Sequence, residues 1–271
     1  MSNQPIKNKF VILSGANGGI GSNILSTLLF YGYKVIALDI SDSNIKNEDC
    51  FYLKCDISNR HDLANISAKV RHITDKVYAI INAVGIFKME SLIEGNEEDF
   101  RKIIEINFFG IYSLNKNLMP LLEKCGKVIN LTSEVAKYSP QPFQAYYNIS
   151  KIALDSYNDA LRREANYIGI KVIKIQSGSM KTSMLKNAND EYDTLVDNSE
   201  HFKKPLTKFK YMMDRELKKQ NDPSKISKII IKILKKKNPK ICYKIKNSFK
   251  LSLIGHMPEA WQDSIYKKVI K

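Results

Sequence analysis

The chain has 271 residues, 44% hydrophobic and 26% charged, with a formal net charge of +15. Those proportions exclude a disordered chain, and the length suits one large α/β domain, 1–271, rather than two. The opening "MSNQPIKNKFVILSG" has no long apolar core of a secretory signal, and no run of about 18 apolar residues offers a membrane span, so a cytoplasmic protein is expected.

The charge is uneven. Residues 1–200 hold 23 Lys+Arg against 23 Asp+Glu, whereas residues 201–271 hold 20 against 5. That basic quarter reads either as a surface for an acidic substrate, a cofactor phosphate or anionic lipid, or as compositional drift. Drift is preferred, because lysine greatly outnumbers arginine. The four cysteines, Cys50, Cys55, Cys125 and Cys242, are scattered, with no CxxC pair and no metal-ligand spacing, and are expected to be reduced thiols.

In chain order, "KFVILSG" (9–15) is a buried strand ending in glycine, followed by a helical pattern over 20–33 that stops at Gly32. Strands follow at "KVIALD" (34–39) and "FYLKCD" (51–56), then a helix over 59–73 and a strand at "VYAIINAVG" (77–85). Residues 96–125 read as one long helix or two abutting ones. "GKVINLTS" (126–133) is a strand, 146–169 a long helix ended by Gly169, and "IKVIKIQSG" (170–178) a strand. Strands alternating with helices imply right-handed crossovers. The expected fold is α/β: a Rossmann-like doubly wound parallel sheet of about seven strands flanked by helices.

Residues 183–221 are polar and less regular, with interspersed aromatics, and read as a lid. The basic extension, 222–271, opens with Asp222 as N-cap and Pro223 at the first helical position. "KICYKI" (240–245) reads as a last strand, and Trp261 is expected to anchor the tail.

"SGANGGIG" (Ser14 to Gly21) sits between the first strand and the first helix, where a doubly wound sheet binds phosphate. Gly15 permits a tight turn, while Gly19 and Gly21 let backbone and helix approach a pyrophosphate at the helix N-terminus. Asp39 ends the second strand, where a carboxylate can accept hydrogen bonds from ribose hydroxyls and would repel a 2′-phosphate. No Lys or Arg lies in the loop or directly after Asp39, which points to NAD rather than NADP.

With these residues in order, the chain resembles the short-chain dehydrogenase/reductase family over roughly its first 182 residues, and more loosely beyond. The family's TGxxxGxG loop appears as Ser14–Gly21. Its Asp after strand three appears as Asp56, its NNAG as "NAVG" (Asn82–Gly85), and its helix asparagine as Asn107. Its serine after strand five is Ser133, its YxxxK is Tyr147 to Lys151, and the segment after strand six is "SGSMKT". The resemblance implies a catalytic set of Asn107, Ser133, Tyr147 and Lys151. It also implies cofactor contacts at Gly15, Asn17, Gly18, Gly19, Ile20, Gly21, Asp39, Asp56, Ile57, Asn82, Ala83, Gly85, Tyr147, Lys151, Gly178 and Thr182.

The implied chemistry is hydride transfer between a nicotinamide cofactor and a secondary alcohol or ketone, with Tyr147 as proton donor or acceptor. An unperturbed phenol is too weakly acidic to act as a base at neutral pH, and the Lys151 ammonium together with the nicotinamide charge is expected to lower its pKa. Ser133 would donate to the substrate oxygen, and Asn107 would hold a water that relays protons through Lys151. Ala83, Val84 and Ser177 depart from the family pattern but touch no reacting atom, so they are expected to alter stability or cofactor affinity, not to abolish activity.

Helical geometry assigns the "YYNISK" tyrosines. Tyr147 and Lys151 (i, i+4) share a face, while Tyr146 and Lys151 lie about 140° apart. Tyr146, Tyr138, Phe143 and Phe87 either line a substrate pocket or pack.

Two other functions stay open: a 3-oxoacyl-thioester reductase, and an NAD-binding regulatory protein with a decayed site. A small-molecule substrate is expected, with no metal and no nucleic-acid partner. The family implies a homodimer or homotetramer. The tail (246–271) mixes lysines with aromatics, and reads either as an interfacial helix contacting a membrane surface or, preferably, as a basic helix beside the cleft.

Overall fold

The computed structural model describes residues 8–43, 45–182, 192–217 and 220–270. Its centre is a seven-stranded sheet in the order β3-β2-β1-β4-β5-β6-β7. The strands are β1 (Phe10–Ser14), β2 (Lys34–Asp39), β3 (Cys50–Lys54), β4 (Val77–Asn82), β5 (Leu122–Ser133), β6 (Lys171–Ser177) and β7 (Cys242–Ile245). Every neighbouring pair is parallel. The chain builds outward from β1 to β3, then returns to place β4 on the other side of β1, so the strand order reverses between β1 and β4. Above the carboxyl ends of those two strands a crevice opens.

The central strands β1, β2 and β4 are largely apolar because both faces are covered. Alternate side chains of β1 show how: Val11 and Leu13 pack with Ile24 and Leu28 of α1 (Gly19–Phe30), and Ile12 packs with the opposite layer. That opposite layer contains Leu63 and Ile66 of α2 (Arg60–Arg71), Ile111 and Leu114 of α4 (Ile111–Leu118), and Leu154 of α5 (Ala145–Ala165). The isoleucines of α8 (Ser224–Lys235) join the α1 face.

Local signals set the helix ends. Asn59 caps α2 by accepting from His61 N–H at 2.9 Å, and Asn96 caps α3 (Glu97–Ile104) by accepting from Glu98 N–H at 2.8 Å. Gly169, at φ +76°, stops the chain after α5. The Asp222 carboxylate accepts from Ser224 N–H at 2.8 Å, and Pro223 already has helical dihedrals, so the expected cap and proline both stand at the start of α8.

Four expectations need correction. The 96–125 segment is neither one helix nor two: α3 passes into a π-helical turn (Glu105–Gly110), then α4, then a short 3₁₀ turn entered at Pro120. Gly110 is required there, because a Cβ would lie 2.6 Å from the Ile57 carbonyl oxygen. Second, β5 begins at Leu122, paired with Val77, and Cys125 at φ +65° shifts the register before Lys127 pairs with Ala79.

Third, the described part of the supposed irregular lid is helical: α6 (Tyr192–Asn198) and α7 (Lys203–Leu217). Pro205 falls in the first turn of α7, where a missing donor costs nothing. Residues 183–191 and 218–219 of that segment lie outside the described residues. Fourth, Trp261, in α10 (Glu259–Ile270), is 65% exposed rather than an anchor; among the described side chains of that helix Gln262 and Ile270 are buried.

The predicted last strand is β7, and α9 (Phe249–Gly255) follows it. The four cysteines are free thiols. Among the described residues no helix is long and apolar enough to cross a membrane, and no His/Cys/Asp/Glu group could hold a metal.

Candidate active site

The crevice is a cavity of about 1170 Å³. With two exceptions, Asn82 and Asn107, every residue predicted for the site lines it. At one end lies the glycine loop. Gly15 leaves β1 at φ +74°, and a Cβ there would sit 2.9 Å from the backbone nitrogen of Val84. At Gly21 a Cβ would sit 1.8 Å from the Gly15 carbonyl oxygen, so the turn and the helix can approach this closely only as glycines. Gly18 caps α1 without a side-chain bond, which leaves the first-turn N–H groups of Gly19, Ile20 and Gly21 at the positive end of the helix dipole, beside the cavity. Thr182 closes over this loop: a Cβ on Gly19 would lie 3.0 Å from the Thr182 Cβ.

Asp39 ends β2 beside the loop. Its Oδ2 accepts from Asn17 N–H at 2.9 Å, and its Oδ1 accepts from the Ser41 N–H at 3.1 Å and hydroxyl at 2.9 Å. The neighbouring cation, Lys54, is paired with Asp42 at 3.1 Å. Asp56 after β3 is fixed by the Ser58 N–H and hydroxyl, at 2.9 and 2.7 Å.

Asn82 differs from its predicted role as a cofactor contact. It is fully buried, donates to Asn115 and Asn130 at 2.8 Å each, and accepts from the Ser14 hydroxyl at 3.2 Å. It stitches β1, β4, β5 and α4 together under the cavity floor. Asn107 likewise turns inward from the π-helical turn. Its amide accepts from Ile86 N–H at 2.8 Å and donates to Ile86 O and to the Ser150 hydroxyl, both at 2.9 Å. Ser150 in turn donates to the Tyr147 carbonyl at 2.7 Å. Both N–H bonds of the Asn107 amide are thus spent on the protein, clamping the turn after β4 to the helix that carries Tyr147.

The reacting end is built from β5 and α5. Ser133 ends β5; its hydroxyl accepts from Val135 N–H at 3.4 Å and lines the same cavity as Tyr147. Lys151, one turn along α5, donates to the Leu131 carbonyl at 3.3 Å, and its Nζ lies 5.7 Å from the Tyr147 ring centre. Gly85 makes room for it: a Cβ there would be 3.2 Å from Nζ. One turn further, Asp155 locks α5 to the sheet through Lys174 at 2.5 Å, Gln176 at 2.9 Å and Thr132 at 3.0 Å.

Burial dominates the electrostatics here. It pushes the Lys151 ammonium down to about 8, and it pushes the Tyr147 phenol up to about 12, with the Glu134 charge adding to the rise. The sequence-based expectation, a phenol acidified by Lys151, is therefore reversed for the protein's own groups. Desolvation of the phenolate outweighs a lysine that is itself disfavoured as a cation.

The aromatic alternatives resolve individually. Phe87 lines the cavity and meets the Tyr147 ring edge-on at 5.0 Å. Tyr146 packs: it is 3% exposed and stacks on Phe100 at 4.5 Å. Phe143 contacts Phe202 and Phe209, and Tyr138 lies against Gly255 and His256. Sequence reasoning missed the substrate-side wall: Glu134, Val135, Leu251, Ile254 and Tyr266. Only Glu134, next to Ser133, had a positional signal.

A glycine loop at a helix N-terminus, a carboxylate at the end of β2 and a Ser-Tyr-Lys group meet in one cavity at the carboxyl ends of parallel strands, where doubly wound sheets take ligands. A family model described as short chain dehydrogenase matches residues 9–193. The chain is 26% identical to a probable short-chain type dehydrogenase/reductase, VdlC, of Helicobacter pylori, over 96% of this chain and 97% of that protein. It is 30% identical to the NADPH-dependent 1-acyldihydroxyacetone phosphate reductase of Schizosaccharomyces pombe, over 65% of this chain and 61% of that one. Among solved structures, a Burkholderia phymatum short chain dehydrogenase/reductase in complex with NAD superimposes with a TM-score of 0.74 at 15% identity, covering 88% of this chain and 90% of that one. The chain belongs to the short-chain dehydrogenase/reductase family: NAD(P)-dependent oxidoreductases acting on CH–OH or carbonyl groups.

Proposed function

We propose that the protein interconverts a secondary alcohol and its ketone with NAD as the hydride carrier, Tyr147 being the proton donor and acceptor. The observation that carries this reading is the convergence of Ser133, Tyr147 and Lys151 at one end of a cavity whose other end is the glycine loop. When bound, the nicotinamide cofactor supplies or accepts the hydride. In reduction, the Tyr147 phenol gives its proton to the carbonyl oxygen as the carbonyl carbon gains the hydride, and the product is the alcohol. The Ser133 hydroxyl donates to the same oxygen and stabilises its developing charge. Lys151 lies behind Tyr147, where its ammonium favours the phenolate once the proton has left. Asn107 acts as a positioning residue, through Ser150 and the Tyr147 backbone.

NAD is preferred because Asp39 occupies the ribose end of the cavity and Lys54 is already paired to Asp42. The substrate is a small molecule with an apolar flank, which would lie against Phe87, Val135, Leu251 and Ile254. The chain acts as one catalytic domain in the cytoplasm, and pairs of chains associate through α4, α5 and the π-helical turn before α4, where Phe109 of the turn and Tyr112 of α4 are exposed. The test is a panel of ketones and secondary alcohols assayed with NADH, NADPH and their oxidised forms. Turnover with NAD(H) supports the reading; NAD(H) binding with no turnover across the panel favours a binding protein instead. A 3-oxoacyl thioester is the second reading, favoured by Lys102 and Lys250 on the cavity wall, and 3-oxoacyl-CoA belongs in the panel.

A further inference from the structure

Glu134 sits where three parts of the molecule meet. It follows Ser133 at the carboxyl end of β5 and is 9% exposed. Its carboxylate accepts a hydrogen bond from the backbone N–H of Ser248. Ser248 is the N-cap of α9, its hydroxyl accepting from Leu251 N–H at 3.3 Å. Glu134 also lies against the chain leaving β6. A Cβ on Gly178 would come 3.0 Å from Glu134 Oε1 and 2.3 Å from the Lys246 carbonyl oxygen, so the close approach of these segments depends on that glycine. Tyr147 lines the same cavity as Glu134, and the Glu134 charge opposes its ionisation.

Helix α9 needs an external hold. It has seven residues and none is buried. Yet Leu251 and Ile254 wall the substrate side of the cavity. A charge-assisted bond to its N-cap residue is the kind of contact that can fix so short a helix, and an anion at a helix N-terminus is favourable in itself.

We propose that Glu134 is a positioning residue with two linked tasks: its carboxylate latches α9 over the reacting centre, and its negative charge, next to Ser133 on the wall of the cavity that Tyr147 also lines, opposes formation of the phenolate. The second task rests on the reading of Tyr147 as the proton carrier; the first does not. Among the described residues, the charged and titratable groups around the phenol include Lys151 on its own helix, Glu134 after β5, and, on the other cavity walls, Lys102 of α3, Lys250 of α9 and Tyr266 of α10. Among the described residues, Glu134 is the acidic side chain that opposes the phenolate.

Two variants separate the tasks. Glu134→Gln keeps an oxygen acceptor for Ser248 N–H and removes the charge; Glu134→Ala removes both. Hydrogen exchange of the α9 amides reads the latch without any substrate. Exchange is expected near wild type in Glu134→Gln and faster by at least about tenfold in Glu134→Ala, the loss of one charge-assisted hydrogen bond. The pH profile of kcat/KM for alcohol oxidation reads the charge. Its acid limb is expected to move to lower pH by roughly half a unit or more in Glu134→Gln, about a threefold gain in rate at a fixed pH below the limb.

An unmoved limb in Glu134→Gln overturns the charge task, and unchanged exchange in Glu134→Ala overturns the latch. Should the wild-type protein turn over nothing in the panel, the reading of Tyr147 falls and the charge task with it. The exchange measurement then decides the latch alone.

Discussion

The Nζ of Lys151 lies 5.7 Å from the centre of the Tyr147 ring and 3.3 Å from the Leu131 carbonyl oxygen, in a space that Gly85 leaves open. The lysine is 5% exposed and burial pushes its pKa down to about 8. An unfolded lysine titrates near 10.4, so between about pH 8 and 10.4 the unfolded chain binds more protons, and stability rises with pH across that window. At pH 7 the charged lysine is a net cost to folding. Lys151→Met is therefore expected to lose activity yet gain ~1–3 kcal/mol of stability at pH 7, with most of the gain gone by pH 10. Urea unfolding at the two pH values checks this; a variant less stable than wild type at pH 7 would contradict it.

The proposed preference for NAD rests on Asp39 at the end of β2. Asp39→Asn keeps one oxygen acceptor, enough for the Ser41 donors or for Asn17 N–H but not both, and removes the charge that repels a 2′-phosphate. Fluorescence titrations with NADH and NADPH are expected to show the affinity ratio moving toward NADPH by about tenfold or more, or ~1.4 kcal/mol. An unchanged ratio would place the discrimination elsewhere.

Asn107 holds two segments together and does not face the cavity. Asn107→Ala removes three side-chain hydrogen bonds, two to Ile86 and one to Ser150. The expected loss is ~2–4 kcal/mol in denaturant unfolding, because the Ile86 backbone groups are left without partners. A fall in kcat should accompany it, since the Ser150 bond to the Tyr147 carbonyl loses its support.

Tyr146 and Trp261 are expected to exchange the importance their sequence contexts suggest. Tyr146→Ala removes a buried ring stacked on Phe100 and should cost ~3–5 kcal/mol. Trp261→Ala, at a residue 65% exposed, should cost under ~1 kcal/mol. Thermal melts of the two variants distinguish them directly.

The parts of the molecule that were legible in the amino-acid order are those written locally. Buried parallel strands leave continuous apolar runs, and β1, β2 and β6 fall within a residue of where those runs lie, while β4 ends at Asn82, ahead of the expected Gly85. The glycine loop, Asp39, Asp56 and Ser133 sit at strand ends, so placing the strands placed them. What escaped is non-local. Glu134 meets Ser248 across 114 positions. Leu251, Ile254 and Tyr266 reach the cavity only because the tail folds back over it. The π-helical turn at Asn107 breaks the 3.6-residue period that a helical reading relies on. The phenol's acidity depends on desolvation, a property of packing, whereas the sequence displays only the nearby lysine.

The central claim is that Tyr147 carries the proton. Tyr147→Phe removes one oxygen and keeps the ring that meets Phe87 at 5.0 Å. The deciding measurement is turnover of this variant on a substrate that the wild-type protein reduces, with NADH affinity measured in parallel. Turnover reduced by at least about a thousandfold, with NADH affinity within about twofold of wild type, is the expected result. Turnover within about tenfold of wild type would contradict the account.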